Sequence, residues 1–172
     1  YLQQVWEDFT ARYPDQPTLC QESAMDEGQR TEFLAQFLAR DGKPLLGFAV
    51  LGGVFGEGVD LTGESLIGVA VVSPGLPQIG PRQEQLRDYF EETRGAGFDY
   101  AYRYPGMNKV LQAAGRVIRT PQDRGVVLLI DDRFLAPDTR RLMPPHWEHL
   151  RVVDSADAWK DELAAFWKKH EP

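Results

Sequence analysis

The chain has 172 residues, 42% hydrophobic and 26% charged, with a net charge of −7. That is the size of one α/β domain with enough apolar residues for a core, which excludes disorder over most of its length. Its longest apolar runs fall far short of the roughly 20 residues a membrane helix needs, no apolar leader suggests secretion, and one cysteine, Cys20, excludes an internal disulfide, an all-cysteine zinc site and an iron–sulfur cluster in this segment.

Residues 2–12 place Leu2, Val5, Trp6 and Phe9 at helical spacing and predict an opening helix, stopped by Tyr13-Pro14-Asp15-Gln16-Pro17. Thr18–Gln21 reads as a short strand. Asp26 to Arg40 predicts a second helix, with Asp26 as its N-cap and Gly42 beyond its end. Leu45–Val54 and Leu66–Val72 lack alternation and predict strands buried on both faces, separated by a glycine-rich turn. Ser73-Pro74-Gly75-Leu76-Pro77 breaks the pattern, and Arg82–Arg94 predicts a helix ended by Gly95-Ala96-Gly97. Pro105 suits the first turn of a further helix carrying Val110, Leu111, Ala114, Val117 and Ile118. Val126–Ile130 is a third buried strand and Leu150–Val153 a fourth. Ser155–His170 is a closing helix with Trp159, Leu163, Phe166 and Trp167 inward. Apolar strands alternating with helices predict a single α/β domain over residues 1–172 with a mainly parallel sheet. In such sheets ligands bind beyond the carboxyl ends of the strands, here the loops after Val54, Val72 and Ile130.

The charge is uneven. Residues 1–41 hold eight acids and three bases, whereas residues 102–124 hold Arg103, Lys109, Arg116, Arg119 and Arg124 against Asp123 alone. An acidic body with one basic strip suits a phosphate-handling site better than a broad polyanion surface.

Four constellations carry candidate chemistry. Gly52-Gly53-Val54-Phe55-Gly56-Glu57-Gly58-Val59-Asp60 packs four glycines and two carboxylates into nine residues. It is neither a dinucleotide fingerprint nor a phosphate loop. It reads either as a plain strand-to-strand connection or as a mobile loop whose acids accept hydrogen bonds from hydroxyls or arginines. Gln112-Ala113-Ala114-Gly115-Arg116-Val117-Ile118-Arg119 would place Gln112, Arg116 and Arg119 on one helical face. That face is either a solvated basic surface, with Asp123 as an ionic partner, or a polyphosphate site, since guanidinium forks match phosphate oxygens. Val127-Leu128-Leu129-Ile130-Asp131-Asp132 imitates a strand whose acid holds Mg²⁺. With no phosphate loop in the chain, Asp131 reads better as a turn residue or a partner of Arg133. His146-Trp147-Glu148-His149 lacks further ligands and reads as a surface turn, and Cys20 as an inert thiol. A separate possibility is a binding module in which Tyr100, Tyr102 and Tyr104, beside Arg103 and Lys109, hold single-stranded DNA or a protein partner.

Several of these motifs resemble those of one family. Gly53-Val54-Phe55-Gly56-Glu57-Gly58-Val59-Asp60 resembles motif V of the superfamily 2 DNA helicases of the XPD/DinG type, and Gln112–Arg119 resembles their motif VI. Asp123-Arg124-Gly125-Val126-Val127-Leu128-Leu129-Ile130-Asp131-Asp132-Arg133 is similar to the strand after motif VI, and Ser73-Pro74-Gly75-Leu76-Pro77 to the segment after motif V. The likeness runs from about residue 1 to 147, departing at Gly56, where relatives often carry a larger residue.

The resemblance implies a second RecA-like motor domain, three-layered with helices on both faces of the sheet, from an ATP-dependent DNA helicase. ATP and Mg²⁺ would be held mainly by an N-terminal RecA-like domain of the same polypeptide, and any iron–sulfur domain would lie upstream, outside this segment. Arg119 would be the γ-phosphate finger, Arg116 a second phosphate or inter-domain contact, and Gln112 a γ-phosphate sensor. Glu57, Gly58 and Asp60 would contribute nucleotide contacts, the two acids meeting the ribose or the motif VI arginines. Single-stranded DNA or a forked duplex would be the substrate, with no membrane partner and a cytoplasmic location. The chain, opening on Tyr1, is expected to be a fragment of that helicase.

Overall fold

The computed structural model describes residues 1–38, 44–53, 55, 65–118, 120 and 122–170. Helix α1 spans Leu2–Arg12 and stops at Tyr13, whose N–H donates to the Phe9 carbonyl. Strand β1, Thr18–Cys20, follows. Helix α2, Glu27–Leu38, starts on a reciprocal capping box. The Gln29 N–H donates to Asp26 Oδ1 at 2.8 Å, and the Asp26 N–H donates to Gln29 Oε1 at 2.9 Å. Two N-terminal donors without intrahelical partners are thereby satisfied. The expected Gly42 terminator lies outside the described residues.

Strand β2 covers Leu46–Phe48 and pairs in parallel with β1, Thr18 opposite Leu46 and Cys20 opposite Phe48. It is much shorter than the expected Leu45–Val54 run. Gly52 takes a positive φ of 75°, and the Gly53 N–H closes back on the Val50 carbonyl at 3.1 Å, so the chain turns before the run is complete. Strand β3, Gly68–Val72, pairs in parallel with β4, Val126–Ile130, residue for residue. Among the described residues the strands therefore form two separate two-stranded parallel sheets. With only two strands each, neither sheet is covered throughout, and Ile67, Val72 and Ile130 remain exposed. That is why the expected two-sided burial is absent.

The crossover from β3 to β4 carries the best-packed part of the molecule. Helix α3, Pro81–Arg94, ends on Gly95 at φ 62°, where the Gly95 and Ala96 N–H groups return to the Glu91 and Phe90 carbonyls. A π-helical turn over Asp99–Arg103 then runs directly into α4, Tyr104–Ala114. Pro105 sits in the first turn of α4, as expected, although that turn runs on from the π-helical turn without a break. It has no N–H to give to the carbonyl four residues back, that of Ala101. The Nε2 of Gln83, from α3, donates to that carbonyl instead, so the fully buried backbone at Ala101 keeps a partner.

The core is Val71 of β3, Met107 and Val110 of α4, and Phe134 just after β4, with Leu51, Val69, Leu129 and Met143 against them. Phe134 belongs to a 3₁₀ turn over Asp132–Leu135, followed by the short helix α5, Pro137–Arg140. Helix α6 spans Ala156–His170. Its Trp159, Leu163, Phe166 and Trp167 are half-buried rather than sealed inside. The expected strand at Leu150–Val153 is irregular chain outside either sheet, and Val152 is 60% exposed. No helix among the described residues is long and apolar enough to cross a membrane.

Candidate functional site

The segment with the densest candidate chemistry begins on the last turn of α4. Gln112 is exposed there. The helix does not continue to Arg119, as the helical-face reading required, but stops at Ala114 with Gly115 as its C-cap. Glycine is a poor helix former, and hydrogen bonding tightens at this point. The Gly115 N–H still reaches Leu111 four residues back, whereas Arg116 and Val117 donate to Ala113 and Ala114, three residues back, at 3.2 and 3.1 Å. The tightened turn carries Val117 into the core, where it is 2% exposed. Arg116 is half-buried on one side of that anchor, and Ile118 on the other is exposed.

The anchor is tight. A Cβ on Gly125 would lie 2.2 Å from Val117 Cγ1 and 2.9 Å from the Ile67 carbonyl oxygen, so only glycine at 125 lets the arginine segment seat against the sheet. Because Ile67 and Gly125 immediately precede β3 and β4, this segment lies at the amino ends of the two strands. It is the opposite edge from the loops singled out by the strand-end rule. Beyond it, the Thr120 N–H donates to Asp123 Oδ2 at 2.8 Å, closing a turn. Arg119, Glu57, Gly58 and Asp60 lie outside the described residues.

The carboxyl ends of β3 and β4 hold a separate polar group. Asp131 accepts two side-chain hydrogen bonds from Arg133, Nε to Oδ1 at 2.8 Å and Nη2 to Oδ2 at 2.7 Å, plus the Arg133 N–H at 2.9 Å. This paired, charge-assisted contact holds the Asp131 carboxyl down to about 2, outweighing the opposing effect of burial. The partner reading of Asp131 is thus borne out. Arg133 Nη2 also donates to Ser73 Oγ at 2.8 Å, a contact between residues 60 apart that no local motif signals. Among the described residues no group of three or more His, Cys, Asp or Glu could hold a metal ion. His146 and His149 are both exposed.

The three tyrosines are engaged within the fold rather than forming an open platform. Tyr102 is 5% exposed, and its hydroxyl donates to Glu84. This hydrogen bond raises the phenol above its ordinary range. Tyr100 stacks on Phe90 at 4.4 Å and meets Tyr104 edge-on at 5.1 Å. Arg103 pairs with Asp99, reaches Asp138 at 3.5 Å and covers the Phe98 ring at 5.3 Å. A groove of about 460 Å³ remains beside them, between Leu76–Ile79 and Glu84, Arg87, Phe98 and Tyr102. The Cys20 thiol is half-buried. Burial, reinforced by Glu22 and Glu7, pushes its pKa up, which suits an unreactive thiol.

A parallel α/β unit whose long crossover ends in a glycine-capped, arginine-bearing segment has a counterpart among known families. Residues 1–150 match the family described as Helicase C-terminal domain, and the chain belongs to it. More narrowly, it is the C-terminal helicase domain of the XPD/DinG family of superfamily 2 helicases. The Bos taurus "Regulator of telomere elongation helicase 1" is 32% identical over 94% of this chain, which spans 14% of that protein. The Caenorhabditis elegans "ATP-dependent DNA helicase chl-1" is 35% identical over 60% of the chain, corresponding to 12% of its own length. A solved XPD helicase structure superposes with a TM-score of 0.59 at 18% identity, covering 80% of this chain and 25% of that one. At that identity the superposition speaks for the fold alone.

Proposed function

We propose that residues 1–172 form one unit, the second RecA-like motor domain of a longer ATP-dependent DNA helicase, with α6 as its closing helix. The observation that carries this reading is the family match over residues 1–150 in a chain that has arginines after α4 but no Gly-Lys-Ser/Thr phosphate loop. Half of a nucleotide site is then present, the half that meets the γ-phosphate. The parallel strand pairs and the XPD superposition support a RecA-like three-layer arrangement.

In this reading Gln112, Arg116 and Arg119 face the triphosphate across a cleft. The first motor domain of the same polypeptide holds the phosphate loop and Mg²⁺. The residues present fit that division: an exposed amide and permanently charged guanidiniums can bind phosphate oxygens. Arg119, as the finger, stabilises charge that builds up on the transferring phosphoryl group. Glu57, Gly58 and Asp60 line the nucleotide, and the acids link it to the arginines and to a single-stranded DNA track. The stand-alone binding module is disfavoured by the engaged tyrosines.

Assayed alone with ATP, Mg²⁺ and single-stranded DNA, the 172-residue chain is expected to show no turnover. Turnover that disappears on Arg119→Ala would overturn the half-site reading.

A further inference from the structure

Ser73 is the only described non-glycine residue with a positive φ, 74°. Serine has no side-chain feature that makes this conformation comfortable, and such outliers persist only where the surroundings over-determine them. Here the surroundings are specific. The Ser73 N–H donates to the Ile130 carbonyl at 3.1 Å, continuing the β3–β4 ladder one step past its last pair. The Ser73 hydroxyl accepts from Arg133 Nη2 at 2.8 Å, and that guanidinium is itself fixed by both oxygens of Asp131.

The turn that Ser73 starts is the seat of α4. A Cβ on Gly106 would lie 2.4 Å from the Pro74 carbonyl oxygen and 2.9 Å from Leu76 Cδ2, so helix and turn are in direct backbone contact. Gly75, at φ 54°, is packed against Leu51, and its carbonyl lies 3.5 Å from Lys109 Nζ. The stem of Lys109 in turn covers Gly52, where a Cβ would meet Lys109 Cδ at 2.6 Å. Helix α4 therefore touches the carboxyl-edge turn through Gly106 and Lys109 and delivers Gln112 and Arg116 at the amino edge. Gln112 is six residues from Gly106, about 9 Å along the axis at the usual helical rise.

We propose that Arg133 is a positioning residue of the motor: by holding Ser73 in its left-handed conformation it fixes the turn on which α4 seats, and through α4 it sets where Gln112 and Arg116 meet the nucleotide. This rests on the motor-domain reading above. Arg133 itself touches no nucleotide and acts through Ser73, which distinguishes it from the arginines after α4.

The test is a double-substitution cycle in the full-length helicase that contains this domain, read as DNA-stimulated ATP turnover. Arg133→Ala is expected to lower kcat about tenfold while KM for ATP stays within about twofold, the pattern of lost transition-state alignment without lost binding. Ser73→Gly alone, which adopts the same φ without a Cβ, is expected to stay within about threefold of wild type. In the Ser73→Gly background Arg133→Ala is expected to cost less than about threefold, because the turn no longer needs the guanidinium. Arg133→Gln, which can still donate to the Ser73 hydroxyl, gives an intermediate loss and stands in if Arg133→Ala does not fold. The same loss with and without the Ser73→Gly substitution, or a rise in KM with kcat unchanged, would overturn the positioning role. Absence of turnover in the wild-type helicase would instead overturn the motor-domain reading.

Discussion

Gly125→Ala adds one methyl group at the point where the arginine segment meets the sheet. The new Cβ would sit 2.2 Å from Val117 Cγ1 and 2.9 Å from the Ile67 carbonyl oxygen, well inside ordinary van der Waals contact. Neither neighbour can yield easily. Val117 is 2% exposed, and the Ile67 carbonyl is held by the Val126 N–H at 3.0 Å. The expected cost is therefore toward the upper end of the usual overpacking range, about 2–3 kcal/mol. In a domain of this size each kcal/mol lowers Tm by roughly 2–4 °C, so the midpoint should fall by about 5–10 °C. Val117→Ala alone should cost about 2 kcal/mol through lost burial and a cavity. Combined, the added methyl occupies space that the valine vacates, and the double variant should be more stable than the sum of the two losses by more than about 1 kcal/mol. Urea denaturation of the 172-residue chain, followed by tryptophan fluorescence, measures all three. Strict additivity, or a neutral Gly125→Ala, would refute the claim that Val117 and Gly125 together anchor the segment that carries Arg116.

Two further predictions concern the helical crossover and the carboxyl edge. Gln83→Leu should destabilise the chain by roughly 1–3 kcal/mol, because it takes the side-chain donor away from the buried Ala101 carbonyl. The loss should shrink in a Pro105→Ala background, where the backbone regains an N–H, and an undiminished loss by thermal melting would show that the carbonyl is not the reason. Asp131 titrates at about 2 in the folded chain, below its ordinary 3.8. Its stabilisation is therefore complete above about pH 5 and is lost as pH falls through the folded value. Arg133 is half-exposed, so solvent screening reduces the effect to about 1 kcal/mol. The stability gap between wild type and Asp131→Asn should thus close between pH 5 and pH 2 in urea titrations, and a pH-independent gap would contradict the pairing.

What could be read from the sequence was set by local chemistry. The opening helix, the Asp26 cap, the Gly95 terminator and the strand Val126–Ile130 each depend on residues within one turn or one apolar run, and the structure has each of them. Sequence and structure part where distant partners decide. Leu45–Val54 looks like one long buried strand, but among the described residues only β1 pairs with β2, and the chain turns away at Gly52. Pro105 does lie in the first turn of a helix, as local rules suggest, but the π-helical turn running into it and the Gln83 contact to the Ala101 carbonyl have no local signal. Helical spacing also carried Arg116 onto the α4 face, whereas the helix ends at Ala114 and three-residue hydrogen bonds take over beyond Gly115. The link from Arg133 to Ser73 had no signal in sequence beyond the Asp131–Arg133 pair, because a positive φ at serine is imposed by tertiary contacts.

The central claim is that this domain contributes the γ-phosphate finger to a shared ATP site, and Arg119→Ala in the full-length helicase tests it most directly. Comparing single-turnover hydrolysis with equilibrium nucleotide binding, the account predicts a fall of roughly 10³-fold or more in the chemical step with ATP affinity changed by less than about threefold. Losses of equal size in both measurements, or hydrolysis left intact, would contradict it.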